Sequence, residues 1–273
     1  MTGVEVDGLR WEVRTRGVGI PLLLIHGFTG RGSSWGAHAT AFARDFRVIV
    51  VDLPGHGRSG MPVDSCRSSI ERSADDLAAI LRDFGAAPAH VLGYSLGARV
   101  ALRMTVAHPG SVRRLILESP SAGIADPAAR VARLAADEDR AERLERDGIE
   151  AFVAEWEGEA VFASHAAMPA ARRARLHDDR LRNRPAGLAA SLRGAGQGAM
   201  EPLHDRLGEV AAPTLVIAGA LDRAGRSRAD GIAAGIPHAR LAIVATAGHT
   251  PHLETPRIFR ALATAFLEED RAA

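Results

Sequence analysis

The sequence predicts a doubly wound α/β fold: a mostly parallel sheet covered by helices on both faces and interrupted by a helical insertion. Short apolar runs alternate with helix-compatible stretches, those runs lack the two-residue alternation of half-exposed strands, and the pattern stops after Glu118 before resuming near Thr214. Parallel strands covered on both faces are apolar throughout, so the first two observations belong together. In order, Val4 to Val6 and Leu9 to Val13 flank Asp7-Gly8 and read as an antiparallel hairpin. Pro21 to Ile25, Val48 to Val51, His90 to Leu92, Leu115 to Leu117, Thr214 to Ala218 and Leu241 to Val244 read as buried strands. Ser73 to Phe84 sets Leu77, Ile80, Leu81 and Phe84 on one helical face, and Ile258 to Leu267 reads as the closing helix.

From Ala125 to about Arg193 the chain is rich in alanine, arginine and acidic residues without a strand-like run. This predicts several helices, starting near Asp126-Pro127 and including Gly148 to Trp156, over the carboxyl edge of the sheet where open α/β folds bind ligands. The alternative is a solvated helical appendage. The expected organisation is one domain in three segments: core residues 1–121, a lid or cap at 122–200, and core residues 201–273. A chain of 273 residues buries roughly 75% of its extended surface, enough for one large core.

Composition narrows the function classes. The 34 basic residues meet 33 acidic ones, and the insertion's arginines are interleaved with Asp137, Glu138, Asp139, Glu142, Glu145, Asp147, Asp178 and Asp179. No basic strip with stacking aromatics emerges, so a nucleic-acid partner is not expected. No signal peptide or membrane-length apolar run is expected either. The single Cys66 excludes an internal disulfide and points to a reducing cytoplasm.

Gly93-Tyr94-Ser95-Leu96-Gly97 follows a strand and precedes the helix-compatible stretch Ala98 to Val106. That context makes Ser95 the serine of a nucleophile elbow, raised above the sheet on a tight turn, and makes the fold that of the α/β-hydrolases. A serine hydroxyl needs an imidazole to take its proton and a carboxylate to orient the imidazole. Asp222 and His249 each follow a later strand, in the chain order this fold requires. His26-Gly27-Phe28-Thr29-Gly30 follows the first central strand, so the Phe28 and Leu96 amides are the expected oxyanion donors. That loop lacks the lysine of a phosphate-binding loop. His249, His252 and Glu254 do not form a recognised zinc pattern, and His252 reads as a structural or pocket-lining residue. His56 reads as a turn residue. No metal is expected.

These motifs, with Leu24-Ile25-His26-Gly27-Phe28-Thr29-Gly30, Asp52-Leu53-Pro54-Gly55-His56-Gly57, the extension to Ala98-Arg99, and Gly248-His249-Thr250-Pro251-His252-Leu253-Glu254, resemble the MenH family of 2-succinyl-6-hydroxy-2,4-cyclohexadiene-1-carboxylate synthases. The resemblance extends into the insertion through Gly148 to Val153, Trp156, Val161 to Ser164 and Gly187 to Gly194. It implies a cofactor-free lyase that eliminates pyruvate from a small polycarboxylate, with Ser95 as the base. It also implies substrate contacts from Tyr94, Arg99, Arg133, Trp156 and Arg180, with Arg193 less firmly placed. The chain departs from the family at Arg223-Ala224-Gly225-Arg226 and at Ser119-Pro120-Ser121-Ala122-Gly123. A serine hydrolase using the same triad is the leading alternative, and a noncatalytic binding protein is the alternative of another class. A monomer or small homo-oligomer is expected.

Overall fold

The computed structural model describes residues 2–62 and 64–269; residue 1 and residues 270–273, the outer ends of the expected core segments, lie outside them. β1 (Thr2–Val6) and β2 (Leu9–Arg16) form the expected antiparallel hairpin, with Val4 opposite Trp11. They are followed by β3 (Pro21–Ile25), β4 (Arg47–Asp52), β5 (Ala89–Tyr94), β6 (Val112–Glu118), β7 (Thr214–Gly219) and β8 (Ala239–Val244). One sheet runs in the order β1-β2-β4-β3-β5-β6-β7-β8. β2 is antiparallel to β4, and every pairing from β4 to β8 is parallel.

The helices are α1 (Gly36–Phe42), α2 (Ile70–Asp83), α3 (Leu96–Ala107), α4 (Pro127–Glu157), α5 (Ala170–Leu181), α6 (Pro185–Ala195), α7 (Arg223–Gly235), α8 (Pro251–Glu254) and α9 (Pro256–Glu268). Successive strand residues point to opposite faces. Leu23 and Ile25 therefore join the core under α2, α3 and α7, with Leu77, Ile80, Met104 and Ile232. Leu22 and Leu24 join the core under α1 and α9, with Phe42, Phe259 and Phe266. Both faces of β3 are covered, which is why its run Pro-Leu-Leu-Leu-Ile shows no alternation. Each of these leucines, fully withdrawn from water, contributes roughly 1.5–3 kcal/mol before ordering costs.

The run Leu241 to Val244 reads as a buried strand, yet Leu241 is 37% exposed. β8 is an edge strand with β7 as its neighbour, so one flank stays open to solvent. Neither α1 nor α7 was anticipated from the sequence. The α7 segment is rich in glycine, alanine and arginine, and only Gly225, Ala229 and Ile232 of it are buried.

Between β6 and β7 lie α4, α5 and α6. The Asp126 carboxylate accepts from Ala129 N at 2.7 Å and starts α4 at the expected place. Gly148, at φ 85 and ψ 178, breaks α4 into two arms. Such a conformation is essentially restricted to glycine. The arms and α6 build a separate core from Leu144, Ile149, Phe152, Val153, Leu188 and Leu192, so this region is no solvated appendage. It is also tied to the main body on two sides. Asn183 Nδ2 donates to Thr29 O at 2.7 Å, Arg172 Nη1 donates to Leu253 O at 2.7 Å, and His165 Nε2 meets Thr250 Oγ1 at 2.7 Å.

Candidate active site

Ser95 sits between β5 and α3 at φ 50 and ψ −106, a conformation rare for a residue with a side chain. The two motif glycines make that turn possible. A Cβ on Gly93 would lie 2.2 Å from Gly97 O, and one on Gly97 would lie 2.3 Å from Ile25 O. The chain therefore folds tightly only with glycine at both positions, and the tight fold aims Ser95 Oγ away from the sheet.

His249 Nε2 lies 3.1 Å from Ser95 Oγ, and its Nδ1 lies 2.7 Å from Asp222 Oδ2. With Nδ1–H donating to the carboxylate, Nε2 is left to accept the serine proton. Asp222 also caps α7, accepting from Gly225 N at 2.7 Å through its other oxygen. Burial alone would raise the Asp222 carboxyl, but hydrogen bonds from His249 and Gly225 outweigh it and hold the group below its ordinary value. The carboxylate thus stays ionised beside the imidazole. A Cβ at Gly225 would meet Asp222 Oδ2 at 2.1 Å, so the departure Arg223-Ala224-Gly225-Arg226 places a glycine where the capped carboxylate needs room.

The His249 loop is held by residues that sequence reasoning passed over as functional. Ser119 Oγ donates to His249 O at 2.8 Å. Glu254 accepts from Gly248 N at 2.8 Å and Thr250 N at 2.9 Å; despite burial, which raises its carboxyl, these and other hydrogen bonds keep it below its usual value. In the sequence Glu254 stands at the end of a motif and in a zinc pattern that was set aside. Its role depends on a loop closing back on itself, which spacing does not reveal. His252 pairs through Nδ1 with buried Glu118 at 2.9 Å, the structural role expected of it. His56 is likewise structural: it is fully buried, hydrogen-bonds Pro54 O at 3.0 Å, and is pushed down to about 3 by desolvation.

Ser95 and His249 open on a cavity of about 640 Å³ beneath α4 and α6. Its walls include Phe28, Tyr94, Leu96, Arg99, Arg133 and Trp156, so six of the residues singled out in the sequence converge with the triad. Leu96 is the first residue of α3, where an amide has no acceptor within the helix and the helix dipole favours negative charge. Burial, aided by Glu118, pushes the Tyr94 phenol well above its usual value and keeps it a proton donor. Arg99 is buried, donates from Nη1 to Ala195 O at 2.7 Å, and is lowered to about 10 by desolvation and by neighbouring Arg133. It remains a cation at neutral pH. Arg133 Nε donates to Asp137 Oδ1 at 2.8 Å on the same wall. The cavity is also lined by Arg140, Arg223 and Arg228, which sequence reasoning did not select.

Arg180 and Arg193 stand apart. Arg180 is buried against Phe162, its guanidinium 5.0 Å from the ring centroid, and pairs with Glu157 at 2.9 Å beside a smaller void rather than on the large cavity's wall. Its partner lies 23 residues away on another helix, a contact no local pattern foretells. Arg193 turns outward to Glu138 and Glu145. The departure at Ser119-Pro120-Ser121 also lies on the cavity wall.

Residues 20–256 match the model of the alpha/beta hydrolase fold family. The chain is 34% identical over 247 residues to the 2-succinyl-6-hydroxy-2,4-cyclohexadiene-1-carboxylate synthase of Serratia proteamaculans (strain 568), covering 90% of this chain and 92% of that protein. It is 35% identical over 263 residues to a Bacillus subtilis (strain 168) protein provisionally named for the same activity, covering 96% of each. The solved structure of MenH from S. aureus superposes with a TM-score of 0.91 at 32% identity, over 96% of this chain and 98% of that one. With the triad assembled on a cavity and the similarity running nearly end to end, the chain is an enzyme of the α/β-hydrolase fold and belongs to the MenH family of 2-succinyl-6-hydroxy-2,4-cyclohexadiene-1-carboxylate synthases.

Proposed function

We propose that the enzyme eliminates pyruvate from 2-succinyl-5-enolpyruvyl-6-hydroxy-3-cyclohexene-1-carboxylate, with Ser95 as the base. The names of substrate and product fix the electron flow. The ring proton lost is that on C2, acidified by the adjoining succinyl ketone. Its electron pair forms the C2–C3 double bond, the former C3–C4 double bond moves to C4–C5, and the C5–O bond breaks to release enolpyruvate, which ketonises to pyruvate. Ser95 passes its own proton to His249 Nε2 as it takes the ring proton, and Asp222 stabilises the imidazolium. The Phe28 and Leu96 amides face the ketone oxygen as charge develops on it, and Tyr94 donates from its protonated phenol.

The observation that carries this reading is the meeting of an assembled Ser-His-Asp relay with an arginine-walled cavity. The substrate bears three carboxylates, and guanidinium groups bind carboxylates in paired hydrogen bonds. Arg99 and Arg133 are assigned to that binding, with the Trp156 ring packing against the substrate's carbon frame. Arg180 is assigned a supporting role behind Phe162, and residues 122–200 act as the lid. No cofactor enters the reaction. Among the described residues no helix is long and apolar enough to cross a membrane. We place the enzyme in the cytoplasm as a monomer or small homo-oligomer, in keeping with its single exposed Cys66.

The test follows pyruvate release from the cyclohexene substrate by a coupled dehydrogenase. Turnover by the intact enzyme, lost at least about 10³-fold in Ser95→Ala, is expected. Absence of release together with ester turnover through a trapped acyl-Ser95 would establish the hydrolase instead.

A further inference from the structure

The cavity's arginines fall into two groups. Arg99, Arg133 and Arg140 already hold protein acceptors: Ala195 O, Asp137 and Glu159. On the α7 side, Arg223 and Arg228 line the same cavity, yet neither makes a hydrogen bond or ion pair with any other described residue. Arg228 Nε is itself shut off from solvent without an acceptor. A buried guanidinium N–H left unpaired costs free energy, so a site that keeps one open is suited to a ligand that brings the acceptor.

Chain geometry puts this pair on its own wall. Ser95 follows β5 and α7 follows β7, two strands along the sheet, or roughly 10 Å at ordinary strand spacing. Arg99 and Arg133 reach the cavity from α3 and α4. Ala224 and Gly225 present little side chain at the start of α7, and Arg228 lies one turn beyond Gly225, on the neighbouring stretch of the same helix face. The local departure from the family pattern thus accompanies cations that approach the cavity from beside the acid loop.

We propose that Arg228, assisted by Arg223, is a specificity-determining residue that binds a second carboxylate of the substrate, distinct from the one held by Arg99 and Arg133. The inference rests on the elimination reading for its substrate, but binding can be measured without it. Arg228 also lies close enough to Asp222 to help keep that carboxyl ionised, so the experiment must separate the two roles.

Arg228→Gln and Arg228→Lys are compared with the intact enzyme for pyruvate release across pH and, by calorimetry, for binding of citrate as a tricarboxylate probe. Loss of a carboxylate partner is expected to raise KM at least about tenfold in Arg228→Gln, with citrate binding weakened in parallel and a smaller rise in Arg228→Lys, which keeps the charge but not the paired N–H groups. An unchanged KM and unchanged citrate binding, with a fall in kcat and a displaced acid limb, would assign Arg228 to Asp222 and overturn the proposal. If the intact enzyme releases no pyruvate, the elimination reading fails; the citrate comparison then still decides whether Arg228 binds carboxylates.

Discussion

At the scale of single residues, the Asp222 carboxylate carries two tasks with its two oxygens. One receives His249 Nδ1–H and the other receives Gly225 N–H, so the acid orients the imidazole while capping α7. An asparagine can satisfy one of these donors with its carbonyl oxygen but not both. Asp222→Asn should therefore lower kcat by about 10³- to 10⁴-fold with the fold retained, measured as initial rates beside circular dichroism. A rate within tenfold of the intact enzyme would remove Asp222 from the relay. The three relay residues were legible in the sequence because each follows an apolar strand, which places all three on one sheet edge. Arg228 was not, because a helical arginine looks the same whether it faces water or a cavity, and only the packing of α7 decides.

At the scale of elements, the lid's geometry turns on Gly148. The φ of 85 and ψ of 178 let the second arm of α4 turn and bring Phe152 and Trp156 toward Phe28, with ring centroids 6.1 Å and 5.3 Å away. Space is not the constraint, since the nearest atom to an added Cβ is Glu150 Oε2 at 3.7 Å. The backbone conformation is. Gly148→Ala should cost about 1–3 kcal/mol, expressed as greater protease sensitivity of the lid and a lower kcat/KM. Wild-type protection and kinetics in that variant would show that the kink does not hold the lid. The start of α4 could be read from Asp126-Pro127, and its second arm from the stretch Gly148 to Trp156. The outcome that the insertion builds a core of its own could not, because Leu144 and Phe152 meet Leu188 and Leu192 only across the lid. β8 shows the converse: its apolar run looked buried, but edge position, a property of the whole sheet, leaves Leu241 exposed.

At the scale of the whole molecule, every one of the 34 basic residues is arginine, so every side-chain cation apart from protonated histidine carries a planar, permanently charged fork. Acid is a different matter. Burial pushes His38 and His165 down to about 4 and His56 to about 3, so the fold accepts them only as neutral rings. The unfolded chain takes up those protons from about pH 6.5 downward. Between that value and about pH 3 to 4 it binds more protons than the folded chain, so stability is full above about 6.5 and lost as pH falls. The depressed carboxyls of Asp222 and Glu254 add a further loss at lower pH, as they are protonated. Unfolding free energies from urea titrations should therefore decline already from pH 6.5 to 5, by an amount on the order of 1–2 kcal/mol for each buried histidine. An unfolding free energy that stays flat over that interval would contradict the assignment of neutral, buried rings. The individual strands and the helices at Ser73 to Phe84 and Ile258 to Leu267 were legible in outline, since apolar runs and helical periodicity report directly on burial; the order of the strands in the sheet was not. Nor was the wiring of the cavity, because it joins elements far apart in the chain.

In the proposed reaction Ser95, relayed to His249 and Asp222, removes a proton rather than attacking a carbonyl. The most direct measurement is single-turnover reaction with substrate carrying deuterium at ring C2, following pyruvate release and the mass of the protein together. Proton abstraction by Ser95 should give stoichiometric pyruvate, slower release from the deuterated substrate, no covalent adduct on Ser95, and loss of the reaction in Ser95→Ala. A covalent adduct on Ser95, or pyruvate release with no isotope effect under single-turnover conditions, would contradict it.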